Sequence, residues 1–162
     1  MGMQKRLREM FGIFAFFLLF AGVSPIRLEA SELVLSRGQT VYVPVYSNVI
    51  VGPKEVPIYL SNTLIIRNTD IQNDIQVSLA DYYDTKGSLI RRFYSQPVAL
   101  KPLQTIYLYL SDRDREGGVG ANFIVRWQAE KEVNAPIIEC VTVGSRGHTL
   151  VSTSRPIRED TK

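Results

Sequence analysis

Three clusters in this chain combine residue types at spacings from which chemistry can be built. Within 111–116, Asp112, Asp114 and Glu116 alternate, so three carboxylates could converge on Ca²⁺, a hard cation that takes roughly six to eight oxygens. Arg113 and Arg115 stand between them and the closing Glu of a calcium loop is missing, so the expectation is a solvated charged loop. Asp81 and Asp84 bracket Tyr82 and Tyr83, with Asp70 and Asp74 at the preceding turn. Two carboxylates about 5–10 Å apart in a groove can act as acid and base on a glycoside, provided burial raises the pKa of one. Asp at a strand end more commonly holds a turn by accepting from nearby backbone N–H groups, and Asp84 is read that way. Asp81 differs, because strict alternation from Ile75 points it inward, where a carboxylate requires a partner such as Arg. Gly117, Gly118 and Gly120 resemble a phosphate cradle, but such a cradle needs a helix N-terminus behind it. Residues 123–127 read as strand and no Gly-Lys-Ser/Thr follows, so a structural turn is expected.

Other side chains offer less. Cys140 is the single cysteine, excludes an intrachain disulfide, and lies in an apolar run that reads as core. His148 is the single histidine and reads as a loop residue. No serine sits in a nucleophile elbow and no His/Cys cluster can hold a transition metal, so neither catalysis nor a cofactor has positive support. Tyr42 and Tyr46, with Tyr107 and Tyr109, form candidate aromatic stripes on outward sheet faces, able to stack on sugar rings or to dock a protein. Tyrosine is also a good strand former that packs across strands, which is the plainer account of the same residues.

The elements that must position these residues follow period two from Leu33 onward, with no sustained helical spacing. Val41, Val43 and Val45 alternate with Tyr42, Pro44 and Tyr46, and Pro44 suggests a sheet edge or bulge. Leu60, Leu64 and Ile66 share one face of a strand over 58–68. Ile75, Val77 and Leu79 point inward from a strand ending near Tyr83, expected to form a hairpin with it. Further strands are expected near 89–94, 106–110, 123–127, 136–143 and 149–154, with a turn at 84–87 where Gly87 can take positive φ. The pattern predicts an all-β, immunoglobulin-like antiparallel sandwich of about seven to nine strands, with a small closed barrel as the alternative. It spans 31–154 and is followed by a polar tail, 155–162.

Ahead of it, Lys5, Arg6 and Arg8 form a basic head to the uncharged run 10–23, which carries Phe at 11, 14, 16, 17 and 20. This is the pattern of a secretory signal helix, shorter than the roughly 20 apolar residues that span a bilayer. Residues 1–30 are therefore expected to export the chain, by cleavage near Ala30 or as a retained inner-membrane anchor, which would then be its one contact with the membrane. No cysteine follows the run, so lipid attachment there is excluded. Removing the four basic and two acidic residues of 1–30 from totals of 19 and 16 leaves 15 against 14. The basic excess thus belongs to the leader, and nucleic acid is an unlikely partner.

The strings GGVGANFIVRWQAEKEVNAPIIECV (117–141), VYVPVYS (41–47), LIIRNTD (64–70), DYYDTKGSLI (81–90) and LKPLQT (100–105) occur in consistent order. Together they resemble the bacterial domain of unknown function 3124 family over about 41–155. That resemblance implies an exported or membrane-anchored bacterial protein and assigns no activity. It marks Asp81, Asp84, Gly87, Gly117, Gly118, Gly120, Asn122 and Trp127 as family-motif residues with a structural role. Some members carry a lipobox cysteine that this chain lacks. Over 60–110 there is also a fainter similarity to the water-stress and hypersensitive-response sandwich of late-embryogenesis-abundant proteins. The functional expectation is a non-catalytic periplasmic or other extracytoplasmic module binding an envelope protein or glycan. A carbohydrate hydrolase using paired carboxylates and a stress-protective sandwich are the alternatives.

Overall fold

A computed structural model describes residues 35–145 and 147–158; the expected leader, 1–30, lies outside the described residues. The described chain is all β: β1 (Leu35–Pro44), β2 (Asn48–Val51), β3 (Val56–Arg67), β4 (Ile75–Tyr83), β5 (Leu89–Arg92), β6 (Val98–Leu100), β7 (Thr105–Leu110), β8 (Asn122–Asn134), β9 (Ile137–Gly144), β10 (Thr149–Thr153) and β11 (Arg155–Ile157). All pairings are antiparallel. The six-stranded sheet runs β11-β1-β8-β4-β5, with β6 sharing the edge of β4; the five-stranded sheet runs β10-β9-β3-β2, with β7 also on β3.

The two sheets face each other across one core. Val41 and Val43 of β1, Ile75 and Val77 of β4, and Phe123, Val125 and Trp127 of β8 meet Leu64 and Ile66 of β3 and Ile138 and Cys140 of β9. Period-two patterning causes this, since alternate residues of each strand share a face and burying that face removes the largest apolar area from water.

Four expectations need correction. First, β3 and β4 are not a hairpin: they lie in different sheets, and 68–74 is a corner between layers. Second, β1 is not an edge strand, although Pro44 itself stands where the strand has β8 on one side only. β1 runs between β8 and β11, Pro44 is its last residue, beyond the β11 pairing that ends at Tyr42, and the irregularity lies at Ser36/Gly38. Third, a bulge at Val77/Leu79 makes Ser78 an extra residue against β8 and inverts the alternation. Ile75 and Val77 point inward before it, Ala80 and Tyr82 after it, so Leu79 and Asp81 turn to the outer face. Fourth, the described residues form eleven strands: β6 lies where no strand was expected, and Arg155–Ile157, read as the start of a polar tail, pairs with β1.

Candidate functional site

At the end of β4, the segments 45–47, 82–85 and 117–121 interlock. The buried Ser47 and Tyr82 hydroxyls are 2.7 Å apart. Thr85 donates from both its N–H and its Oγ1 to the Gly117 carbonyl, each at 2.9 Å, and accepts at Oγ1 from the Gly120 N–H at 3.0 Å. Val45 N–H donates to Ala121 O at 2.9 Å, and Ser47 N–H to Gly118 O at 3.1 Å. Gly117 is required sterically: a methyl there would overlap the Tyr82 hydroxyl and stand 2.5 Å from Ser47 Oγ. The glycines thus serve a lock against neighbouring strands, and β8 rather than a helix follows them. Burial holds the Tyr82 phenol above its ordinary pKa.

Asp84 caps the adjacent turn. Its carboxylate accepts from the Lys86 and Ser88 N–H groups, each at 2.8 Å, and Gly87 adopts φ 80°, which suits a residue without Cβ. Asp81 is buried on the outer face and directly opposes Arg92 of β5, whose guanidinium lies 3.3 Å away. The partner type is the one expected, although the face is reversed by the Ser78 bulge. One carboxylate thus holds an ion pair and the other a turn. Asn122 opens β8 between Pro44 and Tyr83, and Trp127 is core. The indole N–H of Trp127 finds no acceptor among the described residues.

In the charged loop, Asp114 N–H donates to Ser111 O at 2.9 Å, the Asp114 carboxylate lies 3.6 Å from Arg91, and Arg115 stacks 4.3 Å above the Tyr59 ring. Asp112 and Glu116 are exposed, and among the described residues no cluster of three or more His, Cys, Asp or Glu can hold a metal ion.

The opposite end of the six-stranded sheet carries a second polar hub. Asn68 Nδ2 donates to the carbonyls of Asn73, Leu100 and Lys101 at 2.9, 3.1 and 3.0 Å, while its Oδ1 accepts from Asp70 N–H at 3.0 Å. The Asp70 carboxylate accepts backbone N–H bonds from Gln72 (2.9 Å), Asn73 (2.8 Å) and Asn134 (3.2 Å), which hold its pKa below the usual range. This hub joins LIIRNTD to LKPLQT just as the first joins VYVPVYS, DYYDTKG and the glycines. Sequence reading gave Ser47 and Asn62 no role and placed Asn68 and Thr85 only within turns. Asn62 was findable, because period two places it with Leu60, Leu64 and Ile66, and it accepts from Thr142 Oγ1 inside.

The tyrosine stripes divide. Tyr42 is half-buried in the six-stranded sheet, and Tyr46 is half-buried in the β1–β2 connection, its carbonyl bonded to Asn62. Tyr107 and Tyr109 stand 70% and 56% exposed on the outer face of the five-stranded sheet. Register there sets Tyr109 beside Thr63, Val141 and Val151 in one row, and Tyr107 beside Ile65 and Glu139 in the next. Just before β7, Pro102 and Leu103 form a turn closed by Gln104 N–H to Lys101 O at 3.0 Å. Leu103 holds φ 60° while 68% exposed. A cleft of about 680 Å³ beside β4 and β8 is lined by the amides of Gln72, Asn73, Gln76 and Gln128 together with Arg37 and Glu130. Cys140 is fully buried in the core and its thiol is pushed up to about 11 by burial. His148 lies exposed in the loop before β10.

No curated protein matches this sequence. Among solved structures, the chain is similar to one titled Crystal Structure of Thermotoga maritima 1070, at 11% identity and a TM-score of 0.39, over 73% of this chain and 90% of that one. The family comparison is specific: residues 38–157, containing both polar hubs and the glycine lock, match the family described as Protein of unknown function (DUF3124), and the chain belongs to that family.

Proposed function

We propose that this chain is a non-catalytic interaction module of the bacterial envelope, exported by residues 1–30, that docks another envelope component on the outer face of its five-stranded sheet. One observation carries the reading: Tyr107, Tyr109 and Val151 stand more than half exposed on a single sheet face, and exposed apolar surface of this kind marks docking sites. Leu103 is a further large apolar side chain left 68% exposed, in the turn before β7, at a positive φ that costs about 1 kcal/mol or more. We read the sandwich as immunoglobulin-like, because the chain changes sheet six times between β1 and β11.

A photocrosslinking residue at Tyr109 or Val151 of the full chain, activated in intact cells and analysed by mass spectrometry, tests this. The expected result is one shared envelope component at both positions, and the same peptides report whether 1–30 remain attached. Blank adducts at both positions, with blank glycan arrays, overturn the proposal.

The cleft supports a second reading, a glycan site. Side-chain amides both donate and accept, which matches sugar hydroxyls. Gln76→Ala with Gln128→Ala would then abolish any glycan-array signal while leaving the Tyr109 adduct intact.

A further inference from the structure

We propose that β7 is a self-association edge: two copies of this chain pair antiparallel along β7 and join their five-stranded sheets into one continuous sheet. Among the described residues β7 pairs only with β3, so its other side presents unbonded backbone N–H and C=O groups. Natural sheets protect such edges with charge, proline, bulges or brevity. Most of the other edges among the described residues follow that rule. β5 carries Arg91 and Arg92, β11 is three residues long with Arg155 and Pro156, β2 is four residues long, and β10 lies against β1. β7 reads TIYLYL, six uncharged residues of high strand propensity with no Pro or Gly. Its inward side chains Ile106 and Leu108 are only half-buried, in keeping with a strand that has one strand neighbour among the described residues.

The strand is also self-complementary. A two-fold axis at Leu108 sets Leu108 opposite its own copy, Ile106 opposite Leu110, and Tyr107 opposite Tyr109. Directly opposed residues of an antiparallel pair share a face. Every inward residue therefore meets an inward aliphatic, every tyrosine meets a tyrosine, and no charges are opposed. Such an interface is isologous, so it closes at two copies and does not propagate. The docking proposal above concerns the outer face of the same two tyrosines, whereas this one concerns the backbone edge of β7.

The test uses the full chain in detergent and three forms of it, with mass read by sedimentation equilibrium across a dilution series. Wild type is expected to be a dimer. Tyr107→Lys with Tyr109→Lys sets like charges opposite across the axis and should return the mass of one chain. Tyr107→Lys with Tyr109→Glu sets opposite charges there and should restore the dimer. Both positions are exposed, and matching circular dichroism of all three forms shows that folding is unaltered. A wild type that is one chain at every concentration, a dimer that survives the double lysine change, or a Lys/Glu form no better associated than the Lys/Lys form would each overturn the proposal. The Lys/Glu form also removes both rings from the docking face, so losing the Val151 adduct while keeping the dimer separates the two readings.

Discussion

The two polar hubs and the outer face of the five-stranded sheet contrast in how their side chains are used. In the hubs, residues that look chemically able are consumed internally: Asp84 and Asp70 by backbone N–H groups, Tyr82 by Ser47, Thr85 by Gly117 and Gly120. On the sheet face, Tyr107, Tyr109 and Val151 have little conventional chemistry and remain open to solvent. The hub residues of the family motifs therefore map to architecture, and the exposed tyrosines lie outside those motifs. Stability should depend on the first region and binding on the second.

The comparison breaks most sharply at Gly117. Gly117→Ala drives a methyl into the Tyr82 hydroxyl and should cost about 3 kcal/mol in urea unfolding, with part of the loss recovered in the double variant with Tyr82→Phe. If the double variant is no better than the single, the lock is misassigned. Next comes Asn68→Ala, which leaves the Leu100 and Lys101 carbonyls without their buried donor and should lower stability by about 2 kcal/mol.

Leu103→Gly is expected to act in the opposite direction. It relieves a positive φ and should raise stability by up to about 1 kcal/mol while weakening the Tyr109 adduct. Acid tests the second hub without large structural change. Because backbone donors depress the Asp70 pKa in the folded state, its contribution is present above the ordinary carboxylate range and is lost as pH falls through the folded value. Wild type should accordingly lose stability more steeply than Asp70→Asn at the acid end of that range. The smallest stability effect belongs to Tyr107→Ser with Tyr109→Ser, within about 0.5 kcal/mol of wild type in the monomeric state, yet with the docking adduct abolished. A large loss of stability there would show that the face is structural.

Much of this molecule was legible in its residues. Alternation at 41–45, 60–66 and 106–110 names the buried face of β1, β3 and β7, because side-chain direction in a strand reverses with each residue. Asp84 and Gly87 declare their turn, since a short carboxylate reaches local N–H groups and glycine tolerates positive φ. Composition and the leader pattern bear on address and charge, and family membership was visible in the ordered motifs.

What the residues alone did not decide was partnership. Which strand lies beside which depends on long-range pairing, so β3 and β4, adjacent in sequence, part into separate sheets. One inserted residue, Ser78, inverted the faces after it and moved Asp81 outward, because period two has no memory across a bulge. The tyrosines divided by their surroundings: Tyr42 in an inner strand and Tyr46 in the β1–β2 connection are half-buried, whereas Tyr107 and Tyr109, on a strand with one strand neighbour among the described residues, are exposed. Residue type and spacing determine what a side chain can do. Only the tertiary pairing decides whether a neighbouring strand has already used it.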